Sequence, residues 1–242
     1  EAPLQERRGR TSRGIVAGLR DWAVAPDEDV AEFADGTVAD EFAHAGKVGV
    51  GVTLRARLRG ELVLVLEIRR ADEAGLFDNL TSFCVQNYPG RMQIVCGVQD
   101  AADDAIAVVE RLREVHADRD LDLGIETKVH GLNRKVSNLV NMAPRIRHDV
   151  VVLADSDMRV NPDYLSRVIA ALAEPGVGAV TCLYYGVGVT GRWARLGALI
   201  INAQFLPSVV VGLALGLARP CFGSTLALRR ATLAEIGGFK PF

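Results

Sequence analysis

Asp155, Ser156 and Asp157 place two carboxylates two residues apart, directly after the apolar run HDVVVLA at 148–154. Two such carboxylates on a turn leaving a strand can both approach a hard divalent cation whose remaining positions are filled by water and phosphate oxygens. A cation held there would neutralise a diphosphate leaving group. A D-x-D turn also serves simply to cap the next helix, so its partners decide. The first partner is Asp100, which ends a short apolar run at 93–98 and is backed by Asp103 and Asp104. It could equally cap a helix beginning at Ala101. The second is the basic loop HGLNRKVSN at 130–138, where Lys135 offers charge and Asn133 and a helix N-terminus offer donors to an anion. An ordinary polar helix start is the competing reading. Three polar loops at strand ends outweigh any one of them, because open α/β sheets bind ligands at that edge.

The elements that position these loops follow from periodicity. In 72–90, Leu76, Leu80, Phe83 and Cys84 recur at helical spacing before Pro89-Gly90, predicting an amphipathic helix. Short apolar runs at 93–98, 121–125, 148–154, 179–185 and 224–228 read as strands. Between them lie helices marked by Ile106, Val109, Leu112 and Val115, by residues 133–142, and by Asn161-Pro162-Asp163, where Asn161 is the expected N-cap. Strand and helix alternate, so the class is α/β. Alternation from Val48, with Arg59-Gly60-Glu61 between two runs, predicts a hairpin or two short strands. Residues 1–60 are left unassigned, their acidic stretch at 27–40 reading as a solvated loop or a weak helix face. Residues 61–242 form the expected catalytic domain.

Residues 196–218 are nearly continuously apolar. Their length suits a bilayer crossing, yet Asn202, Gln204 and Pro207 interrupt the first half. A buried or membrane-interface helix pair and a true span both stay open. With 28 Lys plus Arg against 30 Asp plus Glu in 242 residues, no basic field points to nucleic acid. The four cysteines, 84, 96, 182 and 221, form no C-x-x-C pair and are predicted reduced and buried. The opening EAPLQERRGRTSRG has no apolar core of a signal peptide, and the close on Gly237-Gly238-Phe239-Lys240-Pro241-Phe242 is an odd end for a domain. The expectation is a fragment cut at both ends.

The stretch from Leu76 to Phe239, through LFDNLTSFCVQNYPG, IVCGVQDAADDAIAVVERL, HGLNRKVSNLVNM, VVLADSDMRVNPDYL and CFGSTLALRRATLAEIGGF, resembles the ceramide-glucosyltransferase-like inverting glycosyltransferases of family 21. Within that family it looks most like the bacterial branch associated with hopanoid glycosylation. The resemblance implies a GT-A fold with a mostly parallel sheet, a UDP-sugar donor, a divalent metal (Mg2+ or Mn2+) and a lipid acceptor at the cytoplasmic face of a membrane. Carried over by position, Asp100 is expected at the nucleotide base or ribose, Asp155 and Asp157 at the metal and diphosphate, and Lys135 and Asn138 in the donor site. The family's general base is expected beyond Phe242, so no catalytic base is assigned. Where the family has a strand ending in Lys-Pro, this chain has Glu67-Ile68.

The leading expectation is therefore a metal-dependent glycosyltransferase moving a hexose or N-acetylhexosamine to a membrane lipid. Two alternatives stay open: the same fold acting on a polysaccharide or another acceptor, and an inactive nucleotide-sugar-binding fragment. No G-x-G-x-x-G follows a strand and no Walker A sequence occurs, which argues against a dinucleotide oxidoreductase and a nucleoside triphosphatase.

Overall fold

The computed structural model of the chain describes residues 60–68, 75–189, 191–217 and 220–239. The readings made for 1–59, including the first half of the expected hairpin, lie outside the described residues. The described residues form two compact units. One holds 60–68, 75–172, 178–182 and 221–239, and the other 173–177, 183–189, 191–217 and 220. The single domain expected over 61–242 thus has a second unit set into it.

The first unit is a six-stranded sheet: β1 (Leu62–Glu67), β2 (Met92–Val98), β3 (Asp120–Ile125), β4 (Val150–Asp155), β5 (Ala179–Thr181) and β6 (Thr225–Arg229). Their order is β3-β2-β1-β4-β6-β5. β1 lies inside the sheet. β1 pairs in parallel with β2 on one side and β4 on the other, and β2 pairs in parallel with β3. β6 runs antiparallel to both β4 and β5. Strand order therefore reverses between β1 and β4, the point where doubly wound sheets open a ligand crevice at their carboxyl ends.

Apolar residues at nearly every position of LVLVLE and VVVLAD explain why these two strands lie at the centre, buried on both faces. Helices α1 (Leu76–Cys84), α2 (Ala105–Val115), α3 (Arg134–Met142), α4 (Tyr164–Leu172) and a short α7 (Arg230–Glu235) cover them. On one face Val63, Val65, Val95, Val151, Leu153 and Leu228 pack with Leu139 and Met142 of α3, and with Leu233 and Phe239. The alternate residues Leu62, Leu64, Leu66, Ile94 and Cys96 turn to the other face and are fully buried. There α1 and α4 are joined by the buried amide of Gln86. Its Nε2 donates to the carbonyls of Ser82 and Asn161, both at 2.8 Å, and its Oε1 accepts the Leu165 N–H at 2.9 Å. Phe83 meets Tyr164 edge to face, with ring centroids 5.9 Å apart.

At the outer side of the sheet, β3 carries Asp120 and Asp122. Arg147 pairs with the first at 2.7 Å and Arg145 with the second at 2.8 Å. The buried Gln93 of β2 secures the segment bearing these arginines, donating to the Arg145 carbonyl and accepting the Arg147 N–H.

Several boundaries move for local reasons. α1 ends at Cys84, short of Pro89, because Asn87 is drawn to α4, donating its N–H to the Pro162 carbonyl at 2.6 Å. α4 begins at Tyr164, whose N–H closes a tight turn onto the Asn161 carbonyl. The strand expected at 179–185 keeps only three residues in the sheet, and the chain then runs on extended. The glycine pair after α7 stops the helix. Gly237 and Gly238 take φ values of 92° and 76°, and the Gly238 N–H returns to the Leu233 carbonyl.

The second unit corrects the expected helix pair. α5 (Gly191–Ile200), a π-helical turn (Ile201–Phe205) and α6 (Leu206–Ala214) form one continuous helix of 24 residues, with an 18-residue stretch of mean hydropathy 1.8. The interruptions are absorbed locally. Asn202 turns its amide outward, accepting the Gly186 N–H at 2.7 Å and donating to the Gly186 carbonyl at 2.9 Å. Pro207 falls just after the π turn, where the hydrogen-bond ladder is already shifted. Gly186 and Gly188 let the extended segment lie on the helix, since a Cβ on either would stand 2.7 Å and 2.6 Å from the Cα atoms of Ala198 and Arg195. No residue of the helix is buried, so the reading as a buried helix is also corrected. Trp193, Leu196, Leu199, Ile200 and Val211 are exposed.

Cys84 and Cys96 are buried as expected, but Cys182 is only partly covered and Cys221 is exposed in the loop before β6. Burial pushes the Cys84 and Cys182 thiols up to about 11. Iodoacetamide at pH 8 should therefore add one group rapidly, at Cys221. Peptide mapping that found Cys84 or Cys182 alkylated at the same rate would contradict this burial.

Candidate functional site

On the face of the sheet that packs on α3, the central strands β1 and β4 present Val63, Val65, Val151 and Leu153 and stay apolar until their carboxyl ends. There the register sets Gly97, Glu67 and Asp155 side by side across β2, β1 and β4. The antiparallel ladder of β6 continues the row: Thr225 pairs with Ala154, and the Asp155 N–H reaches the Ser224 carbonyl at 3.4 Å. Residues in register share a face, so a polar row of Glu67, Asp155 and Ser224 replaces the valines and leucines below it. Glu67 is 4% exposed.

α3 brings a cation to this row. Asn133 has extended backbone angles and its Oδ1 accepts the Val136 N–H at 3.2 Å, which starts the helix and places Lys135 in its first turn. Lys135 Nζ donates to Asp155 Oδ1 and, at 2.8 Å, to the carbonyl of Gly223. Both partners of the ion pair are largely shielded, with side chains 24% and 18% exposed.

The helix is held at this height by Asn138, which is buried and donates its Nδ2 proton to the Gly97 carbonyl at 2.9 Å. Gly97 has to lack a side chain, because a Cβ would stand 2.7 Å from Asn138 Oδ1 and overlap the Met142 sulfur. The preceding loop is fastened to the same helix. The His130 N–H donates to Ser137 Oγ, its ring pairs with Asn141 Oδ1 at 2.8 Å, and Asn141 Nδ2 donates to the carbonyls of Glu126 and Lys128.

The Gly223 carbonyl is fixed from β5. The Thr181 hydroxyl lies 3.0 Å and 2.8 Å from the carbonyls of Phe222 and Thr225 and accepts the Phe222 N–H at 2.9 Å. The loop from Cys221 to Ser224 is thereby wrapped around one side chain.

Of the residues singled out from the sequence, Asp155 and Lys135 are thus in direct contact. Asp157 lies two residues on, past the buried Ser156, and is exposed. Asp100 is exposed at the end of β2, two strands from Asp155 at the same sheet edge. It does not cap α2. Its Oδ1 accepts the Ala102 N–H at 2.9 Å in a turn, while Asp103 serves the Ala105 N–H at the helix start. Asn138 belongs to the support behind the row.

Sequence reasoning did not single out Glu67, Thr181, Gly223 or Ser224 as site residues. Glu67 carries a signal, an acid ending an otherwise apolar strand run. Ser224 Oγ is buried without a hydrogen-bond partner among the described residues, and nothing in the sequence marks it. Among the described residues no three His, Cys, Asp or Glu side chains gather as a metal group. The two carboxylates flanking Ser156 are hard oxygen donors of the kind Mg2+ and Mn2+ prefer, so the donor set fits such a cation.

A parallel sheet with a D-x-D turn at its switch point and an antiparallel strand beyond it is the GT-A architecture of nucleotide-sugar transferases. The solved mannosyltransferase PcManGT from Pyrobaculum calidifontis, in complex with GDP-mannose and Mn2+, shares this fold. It has a TM-score of 0.55 and 23% identity, over 73% of this chain and 46% of that one. The chain belongs to glycosyl transferase family 21, whose model matches residues 71–242. Ceramide glucosyltransferase 1 of Caenorhabditis elegans is 25% identical over 171 residues, which are 70% of this chain and 36% of that protein. The chain spans about a third of the length of this curated relative.

Replacing Thr181 by valine keeps the shape and removes the hydroxyl. Thr181→Val should cost about 1–2 kcal/mol in urea unfolding and speed the labelling of Cys221 as its loop loosens. Unchanged stability together with unchanged labelling would show that the loop does not depend on this clamp.

Proposed function

We propose that the chain carries the donor site of an inverting glycosyltransferase. It would transfer a hexose or N-acetylhexosamine from a UDP-sugar to a membrane lipid, ceramide-like or hopanoid, at the cytoplasmic face of a membrane. The observation that carries this reading is the polar row at the switch point, with Asp155 at the end of β4 and Lys135 of α3 upon it. Family membership, the ceramide glucosyltransferase relative and the Mn2+ and GDP-mannose of the fold neighbour support it.

In this reading Asp100, at the end of β2, takes the nucleoside. Asp155 and Asp157 would hold the divalent cation, whose chemistry is to offset the charge of the diphosphate leaving group. Lys135 and the N-terminus of α3 supply positive potential to the phosphates. Asn138 acts from behind, keeping α3 at its height through Gly97. The acceptor hydroxyl attacks the anomeric carbon opposite the diphosphate. The new C–O bond forms as the bond to phosphate breaks, and a carboxylate base, assigned to no residue in this chain, takes the proton.

For the acceptor, the supporting feature is the exposed helix Gly191–Ala214. It contains no acidic residue, and Arg192, Trp193 and Arg195 stand at its start, a pattern suited to an anionic bilayer surface.

Calorimetric titration of UDP, with and without Mn2+, tests the donor site. The wild-type chain should bind more tightly with the metal. Asp155→Ala and Asp157→Ala should lose that gain, and Asp100→Ala should bind more weakly in both conditions. If all three variants bind UDP as the wild type does, the assignment is wrong. Flotation with vesicles of phosphatidylcholine and phosphatidylglycerol tests the helix. Leu199→Asp with Val211→Asp should release the chain, since each acid costs about 2.5 kcal/mol or more inside a bilayer. Equal flotation of wild type and double variant would remove the helix from the membrane-binding role.

A further inference from the structure

The ammonium of Lys135 rests on the inner carboxylate of the D-x-D turn. Its second bond, to the Gly223 carbonyl, is to a neutral group in the loop that Thr181 ties at Phe222 and Thr225. The pair is shielded from solvent and so little screened by salt. A divalent cation approaching Asp155 therefore meets a carboxylate already neutralised, with a like charge in contact with it. A diphosphate changes this balance. It brings several negative charges to the first turn of α3, where it can take Lys135 from Asp155, and the long lysine side chain allows that exchange without moving the helix.

We propose that Lys135 is a resident counter-ion that keeps free divalent cations off Asp155 until the donor arrives. When the diphosphate binds, the ammonium passes from the carboxylate to phosphate oxygens and leaves Asp155 to the incoming cation. Cation and nucleotide sugar then bind as a pair, and the protein does not load metal first. Lys135 is a positioning residue here, acting on the affinity of Asp155. The inference rests on the donor-site reading above.

The test measures Mn2+ binding to the whole chain by the paramagnetic resonance of free Mn2+, first without nucleotide and then with saturating UDP, after subtracting the Mn2+ that UDP holds in protein-free solution. Wild type should bind Mn2+ weakly alone and more tightly with UDP. Lys135→Met and Lys135→Gln remove the charge, and the glutamine variant retains a donor for the Gly223 carbonyl. Each should bind Mn2+ alone about tenfold more tightly than wild type, while its affinity for UDP without metal falls. Thermal melting identifies which variants are folded, and either one suffices. On the unaltered chain, Mn2+ binding as tightly alone as with UDP overturns the proposal. So does an unchanged or weaker affinity for Mn2+ alone in the neutral variants while wild type still couples Mn2+ to UDP, an outcome that leaves the donor site standing. No Mn2+ binding to wild type even with UDP overturns the donor-site reading, and this inference with it.

Discussion

A carboxylate that ends a strand buried on both faces needs a cation, and for Asp155 the chain supplies one from α3. Much of the surrounding structure serves that contact. Asn133 sets where α3 begins, Asn138 fixes its height, and Gly97 is bare so that α3 can approach. Thr181 bonds to Phe222 and Thr225, on either side of the Gly223 carbonyl that takes the ammonium's second bond. Each tie is worth about 1 kcal/mol, but together they set the position of one charge to within a hydrogen bond.

Much of this frame was legible in the sequence. A continuous apolar run gave β4, whereas the residues of β1 read from their alternation as part of a hairpin or as one of two short strands. The D-x-D turn stood at the end of a buried strand, and Lys135 came to it from a helix start. What stayed hidden depends on partners distant in the chain. Nothing local to Asn138 shows that its amide donates to a carbonyl 41 residues away. Asn202 read as an interruption of the apolar stretch because the backbone of Gly186, which satisfies its amide, lies outside the helix. Thr181 gave no signal at all. Its hydroxyl matters through a loop some 40 residues later.

The two units divide the chemistry. The sheet unit ends in the polar row and its cation, while the apolar helix belongs to a unit set between β5 and β6 in the chain. An insertion at that point can vary in length and polarity without disturbing the register of β1 and β4.

At the far side of the sheet, β3 has no strand beyond it among the described residues. Its aspartates at alternate positions, each matched by an arginine from the segment after α3, put formal charges on a strand that could otherwise accept another chain. A second copy adding edge to edge would have to separate or bury those pairs, which is costly. The arrangement therefore guards against templated self-association, and Gln93, tying the arginine segment to β2 from within the core, keeps that guard in place.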